Sequence, residues 1–248
     1  PPPEPACPSR APPLGDGFAG ERFQGLCDAA VARGPGELRG RDVALEDLQG
    51  CRVVLLDGVG ALHCHRLRRC EVLVGAIASS ALLYDCRECV VTLAAKQLRL
   101  HDSENILLHL HTLSGPVIEH SSRILVAPWD LLYPEVEGHW AAAALGTPPR
   151  TADEARAGPA GAWAEVQDFN WHRRQASPNW RLVPPELRRG CLELAGPAAA
   201  QGPLPPGLGA LERGRGCWDA PEAPAPAAPA APATAAGSDA PLGPEDEF

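Results

Sequence analysis

The sequence contains no methionine, and only 5% of its 248 residues are aromatic. No apolar run reaches membrane-spanning length and no basic-then-apolar signal opens the chain, so we expect a cytoplasmic protein without a membrane partner. A positive net charge is also missing: the formal net charge of −9 argues against a nucleic-acid partner held through phosphate contacts. Because residue 1 is proline, we expect a mature product or a fragment.

Proline, by contrast, is abundant, and its 28 copies concentrate at the two ends. Residues 223–236 read APAPAAPAAPATAA, which offers too little apolar side chain to offset the entropy of ordering. We therefore expect disordered segments at residues 1–16 and 187–248 around a single domain at 17–186. Within that domain, residues 163–186 are expected to pack back onto the rest.

A repeat runs through the middle of the chain. Its anchor positions are separated by 19, 19, 17 and 18 residues, and each is followed at +2 by an apolar residue. This alternation is typical of strands with one buried face. A second apolar row is expected eleven residues after the first four anchors. The anchors are Cys51, Cys70, Cys89, Ile106 and Ile124, and the second row is Leu62, Ala81, Leu100 and Val117.

Repeats of this length without helices predict a mainly β fold in which the chain coils as a parallel β-helix. The alternative is an antiparallel sandwich of short strands, which a fixed period with aligned anchors disfavours. Residues 37–48 are expected to form either a short helix or a first irregular coil, and the repeat should stop after Pro128.

Several residue groups have the chemistry of a metal site. Cys86 and Cys89 form a CxxC pair, but a structural zinc site needs four ligands and no second pair follows at the right spacing. Nine cysteines without a secretory signal favour reduced thiols. Two histidine pairs could also bind a metal, although we expect surface positions for them: His63 with His65, and His109 with His111.

Carboxylate pairs raise the possibility of a carbohydrate enzyme, which would need them on one face of the β-helix. The candidates are Asp85 with Glu88, and Asp102 with Glu104, but no aromatic platform accompanies either pair.

Arg99 is a different kind of candidate. Since Leu100 belongs to the second apolar row, alternation predicts that Arg99 and Gln97 point outward.

Residues 94–140 and 166–186 resemble the tubulin-folding cofactor C family. The first stretch contains QLR, and the pair IE follows about twenty residues after its arginine; the second contains DFNW followed by SPNW. Upstream, residues 40–56 are similar to the coils that precede the motif in that family. The resemblance covers roughly residues 17–186.

This resemblance implies a right-handed parallel β-helix that is not itself an enzyme but activates a GTPase. The family's arginine finger would be Arg99, with Gln97 and Glu119 as positioning residues. The chain would need no cofactor of its own, because GTP is bound by the partner. The implied partners are β-tubulin and αβ-tubulin together with tubulin-folding cofactors D and E.

Two departures and two alternatives accompany the resemblance. Lys96 stands where the family motif has its first glutamine, and residues 145–163 form a longer loop, rich in glycine and alanine. The first alternative is activation of an Arf-like small GTPase, as in the retinal-degeneration relative. The second is a non-catalytic β-helix that binds a cytoskeletal protein.

Overall fold

The computed structural model describes residues 15, 17–158 and 161–196, and these residues build two parallel sheets. The front sheet comprises β1 (Glu21–Gln24), β3 (Val43–Glu46), β5 (Leu62–His65), β7 (Ser80–Tyr84), β9 (Gln97–His101), β11 (Val117–Glu119) and β14 (Gln167–Asp168), in that order. The back sheet comprises β2 (Ala30–Arg33), β4 (Arg52–Val59), β6 (Glu71–Ile77), β8 (Arg87–Ala95), β10 (Glu104–Thr112), β12 (Ser122–Pro128) and β15 (Trp180–Leu182).

The chain alternates between the two sheets, so successive coils stack as a parallel β-helix. Within both sheets every described strand pairing is parallel, which rules out the antiparallel sandwich. The anchors Cys51, Cys70 and Cys89 are completely buried in one column between the sheets. Small side chains suit this narrow interior, and the predicted register of the anchors is confirmed.

The β-helix begins one coil earlier than the repeat indicates. Residues 37–48 contain strand β3 and no helix, and β1 and β2 form a coil before it. Val31 of β2 lies in register with Val53 and closes this end of the core. The repeat did not predict this first coil because its length differs from those of the later coils. Asp28 and Gly50, the equivalent corner residues of the first two coils, are 22 residues apart.

The predicted second apolar row is wrong beyond its first two members. Leu62 and Ala81 align with Leu98, whereas Leu100 aligns with Leu83 and Ile118. The coil that begins at Cys89 is two residues shorter than the coils that begin at Cys51 and Cys70. The residue eleven positions after Cys89 is therefore Leu100, whereas the residue that aligns with Ala81 is Leu98. A slip of two preserves the inward direction, and Leu98 and Leu100 are both completely buried.

In the described residues, the first six coils turn from the front sheet to the back sheet through two left-handed residues. A left-handed conformation costs a residue other than glycine about 1–2 kcal/mol. Hydrogen bonds between neighbouring coils offset this cost. The Arg66 amide donates to the Tyr84 carbonyl at 3.0 Å, and the Arg69 amide donates to the Arg87 carbonyl at 3.0 Å. The six pairs are Gly25 and Asp28, Asp47 and Gly50, Arg66 and Arg69, Asp85 and Glu88, Asp102 and Asn105, and His120 and Arg123.

Residues 129–158 and 184–196 cover part of the back sheet. They contain β13 (Leu131–Leu132), α1 (Val136–Ala143), α2 (Ala152–Ala157), a 3-10 turn (Pro185–Leu187) and β16 (Leu192–Glu193). Trp129 and Trp140 are completely buried against the outer side of the back sheet. No helix in the described ranges is long and apolar enough to cross a membrane.

The expected tail boundary at residue 187 is too early. Strand β16 pairs with β13, Leu194 is buried, and Arg189 reaches the back sheet. Leu192 and Leu194 provide the apolar contacts of this stretch. Residues 163–186 do more than pack onto the domain, since β14 and β15 each add a strand to a sheet. The rest of the expected tail, and almost all of residues 1–16, lie outside the described residues.

Candidate functional site

Strand β9 lies inside the front sheet and presents alternate side chains to the two sides. Leu98 and Leu100 are completely buried, whereas Arg99 is exposed and Gln97 and His101 are half-buried. The strand pairs with β7 on one side and β11 on the other. The outward positions of Gln97 and Arg99 are therefore confirmed, on a backbone that is held from both sides.

Arg99 lies in an apolar row of the front face, in register with Leu82 and Val117. Among the described residues, no carboxylate or carbonyl binds its guanidinium. All the donors of that group are therefore available to a partner, and Arg has five of them in a fixed planar arrangement. The geometry thus presents one free guanidinium on a rigid platform.

Glu119 contacts His101 and not Arg99. The Glu119 carboxylate Oε2 lies 3.4 Å from His101 Nδ1. His101 in turn stacks on Tyr84 with ring centroids 6.1 Å apart, and Tyr84 stacks on His65 at 5.9 Å. These side chains form a ladder along the row next to Arg99, so Glu119 can influence the arginine only through its neighbour His101.

Lys96 lies at the corner that precedes β9. Its side chain is exposed, while its backbone is fixed: its amide donates to Ser79 at 3.0 Å and its carbonyl accepts from Ser114 Oγ at 3.1 Å. This corner lies at the opposite end of β9 from His101. The departure from the family motif therefore changes the exposed surface near Gln97 without altering the strand.

The DFNW and SPNW stretches meet at Asp168, whose structural role the sequence did not reveal. The Asp168 carboxylate accepts from Ser177 Oγ at 2.6 Å and from Asn179 Nδ2 at 2.7 Å. Its other oxygen accepts from the Asn170 amide at 3.1 Å. One carboxylate thus ties the end of β14 to the start of β15 and closes the last coil.

Known proteins resemble part of this chain. The family model described as tubulin binding cofactor C matches residues 40–155. The chain is 36% identical over 153 residues to tubulin-specific chaperone C of Mus musculus, a match that covers 61% of this chain and 42% of that protein.

The chain therefore contains a tubulin binding cofactor C domain over residues 40–155. It is also 27% identical over 162 residues to the human protein XRP2, which covers 65% of this chain and 43% of XRP2. The structure of tubulin binding cofactor C from Leishmania major matches with a TM-score of 0.41 and 22% identity, covering 67% of this chain and 90% of that one. The chain spans less than half the length of these two curated relatives.

The part matched by the family model contains Gln97, Arg99 and Glu119. It ends before Asp168 and before Arg189, so the closing coil and the strand β16 lie beyond it.

Cys86 and Cys89, the candidate CxxC pair, are both completely buried within the matched part. Burial raises the pKa of the Cys86 thiol to about 12 and that of Cys89 well above its usual value, so both remain protonated thiols.

A buried charge network lies on the outer side of the back sheet, and sequence reasoning missed it. Arg189 Nε lies 2.5 Å from Asp130 Oδ2, and Arg189 Nη2 donates to Asp130 Oδ1 at 2.8 Å and to Thr92 Oγ1 at 2.7 Å. Glu71 lies 3.8 Å from Arg189 and 3.4 Å from Arg52. Two arginines therefore balance two carboxylates in a site largely closed to water.

His109 belongs to the same network, with its Nδ1 atom 2.8 Å from Asp130 Oδ2. Burial raises the pKa of Asp130, but His109 and the Arg189 guanidinium more than reverse this and bring it down to about 2. Burial, together with the charge of Arg189, lowers the pKa of His109. We expected His109 and His111 at the surface, and this prediction is wrong, because residues 129–145 fold over both. His65, from the other histidine pair, is also buried.

We expect the stability of the domain to fall as the pH is lowered from 7 to 5. Burial lowers the pKa of three histidines below the usual 6.5, so the unfolded chain takes up protons first. Each can contribute a slope of up to about 1.4 kcal/mol per pH unit, present below the unfolded pKa of about 6.5. The three are His65, His109 and His111.

Urea unfolding at half-unit pH steps measures this slope. Glu71, whose pKa is raised by burial, contributes with the opposite sign, and mainly at the acidic end of the range. His172→Gln is the control variant, because it replaces an exposed histidine and removes no buried imidazole. A free energy of unfolding that stays constant between pH 7 and 5 would contradict the burial of neutral histidines.

Proposed function

We propose that this chain acts in tubulin folding as a GTPase activator of β-tubulin, within a complex that also contains tubulin-folding cofactors D and E. In this proposal the chain supplies Arg99 as an arginine finger and promotes release of native αβ-tubulin. It is not itself an enzyme and binds no cofactor of its own, because it completes the partner's GTP site from outside. The proposed compartment is the cytoplasm, where the partner folds.

The observation that carries the proposal is the free Arg99 guanidinium on β9, an inner strand of the front sheet. When the γ-phosphoryl group of GTP leaves, negative charge builds on its oxygens, and a planar guanidinium can donate two parallel hydrogen bonds to them. Such fingers accelerate hydrolysis by about 10³ to 10⁵, which corresponds to roughly 4 to 7 kcal/mol of barrier. A rigid platform favours this role, since only the side chain and not the backbone has to be ordered when the finger enters the site.

Gln97 and Glu119 are proposed to act in support of Arg99. Gln97 lies two residues away on the same outward side of β9, close enough to contact the partner next to the finger. Glu119 acts indirectly, because its carboxylate contacts His101 and not Arg99. The stacked ring of His101 in turn limits the space that the Arg99 side chain can occupy. The two residues directly beside Arg99 in register, Leu82 and Val117, have apolar side chains and offer no competing acceptor.

The match to XRP2 favours a second candidate, activation of an Arf-like small GTPase through the same finger. The chemistry would be identical, and only the partner surface around the front sheet would differ. A non-catalytic β-helix that binds a cytoskeletal protein would need no exposed finger, so the free state of Arg99 counts against it.

One assay separates these candidates. GTP hydrolysis by tubulin with cofactors D and E is measured with and without this chain, in parallel with hydrolysis by an Arf-like GTPase. Stimulation in the tubulin reaction alone supports the proposal, and stimulation of the Arf-like protein alone supports the second candidate. Binding to the tubulin complex without any stimulation would leave only the binding-module function.

A further inference from the structure

A groove of about 420 Å³ runs along the corner where the chain turns from the front sheet to the back sheet. Four arginines from three of the coils line it, together with two glutamates. They are Arg68, Arg69, Arg87 and Arg123, with Glu88 and Glu104. The left-handed corner conformation fixes the direction of Arg69, Glu88 and Arg123, so this concentration of charge is built into the backbone.

Only part of this positive charge is neutralised within the groove. Arg68 Nη2 lies 2.9 Å from Asp85, and Arg87 Nη1 lies 2.9 Å from Glu104. In the part of the chain that the structure describes, neither Arg69 nor Arg123 has an ion-pair or hydrogen-bond partner for its side chain. These two exposed guanidinium groups therefore face the groove with their donors unused.

The last coil extends the same surface. In earlier coils this corner turns sharply, but between β14 and β15 it widens into the loop at residues 169–179. The loop is fastened at the corner, since Asn170 Oδ1 accepts from the His120 amide at 2.7 Å and the Asn179 carbonyl accepts from the Ile124 amide at 2.9 Å. It exposes Arg173 and Arg174 to solvent, one coil beyond Arg123.

We propose that this corner groove, together with the loop at residues 169–179, binds an extended acidic peptide segment of a partner protein. Carboxylates match the unused guanidinium donors, and the pairing is charge-assisted. Glu88 and Glu104 interrupt the row of arginines, so spaced carboxylates fit better than the continuous phosphates of a nucleic acid. The formal net charge of −9 further disfavours a long polyanion, because the rest of the chain would repel it.

The test uses the full chain and a fluorescein-labelled octaglutamate peptide, with binding followed by anisotropy at low salt. An oligonucleotide of eight thymidines and an octalysine peptide serve as comparison probes. The groove variant is Arg69→Gln with Arg123→Gln, and the loop variant is Arg173→Gln with Arg174→Gln. Each should weaken octaglutamate binding about 10-fold, as expected for two exposed ion pairs, and should flatten the salt dependence.

A matched control removes two exposed arginines elsewhere, Arg39→Gln with Arg150→Gln. Arg39 has φ 53, the same value as Arg69, so this control also tests whether a change at a left-handed corner matters by itself. It should bind octaglutamate like the parent chain. The proposal is overturned if octaglutamate fails to bind, if all variants bind it equally, or if the oligonucleotide binds more tightly. None of these readouts depends on GTP hydrolysis.

Discussion

Replacing Arg99 with alanine is expected to lower the stimulated rate of GTP hydrolysis by about 10³ to 10⁵. In the proposed role Arg99 stabilises charge that develops only in the transition state, so the loss should appear in the rate and not in assembly with the partners. Folding should survive, because Arg99 is exposed while Leu98 and Leu100 supply the core contacts of its strand. Single-turnover hydrolysis by the tubulin–cofactor complex measures the effect.

Two further substitutions test the chemistry of that role. Arg99→Lys should be nearly as poor as alanine, since an ammonium keeps the charge but loses the planar pair of donors. Glu119→Gln should cost less, because Glu119 contacts His101 and affects the finger only indirectly. A thermal melt and a pull-down accompany each assay. If Arg99→Ala hydrolyses as fast as the parent chain, Arg99 is not the finger.

Replacing Arg189 with methionine should lower the free energy of unfolding by about 3 to 5 kcal/mol. Methionine keeps much of the side-chain volume but leaves Asp130 and Glu71 buried without their shared cation. Both carboxylates are only 5% exposed, so water cannot replace the lost contacts. Urea unfolding at pH 7 gives the difference, and a matched midpoint shift in thermal melts would support it.

Arg188→Met is the neighbouring control, and its effect should be much smaller. The Arg188 side chain is half-buried and donates to the Val183 carbonyl at 3.1 Å, but it balances no buried carboxylate in the network. Combining Arg189→Met with Asp130→Asn should recover part of the loss, because one uncompensated charge is then removed. A change below 1 kcal/mol for Arg189→Met would show that the network contributes little.

The sequence predicted those parts of the fold that depend on local alternation. The column of Cys51, Cys70 and Cys89 followed from spacing alone, and the outward direction of Arg99 followed from its apolar neighbours. The alignment of later coils did not follow, because one coil shortened by two residues shifts the second row. Periodicity predicts which face of the strand a side chain occupies. When coil lengths vary, it does not predict which residue of the next coil lies beside that side chain.

The contacts that sequence reasoning missed join distant parts of the chain. Arg189 binds Asp130 across 59 positions, from a stretch whose composition suggested a tail. The burial of His109 and His111 depends on a segment that returns over the back sheet, and no local pattern signals that return. Glu119 was expected to serve Arg99, but the true register places it next to His101.

The paired left-handed corners have a consequence for how the length of this chain can change in evolution. The two residues of each pair are always three positions apart, although equivalent corners are 22, 19, 19, 17 and 18 residues apart along the chain. Among these six coils the variation in length is therefore absorbed elsewhere, on the return from the back sheet to the front sheet, whereas the last coil lengthens the corner itself with its loop at residues 169–179. Insertions and deletions should be tolerated on that return, as the bulge between Leu55 and Gly58 illustrates. A single residue added inside a left-handed corner would instead break the ladder of amides that joins each coil to the next.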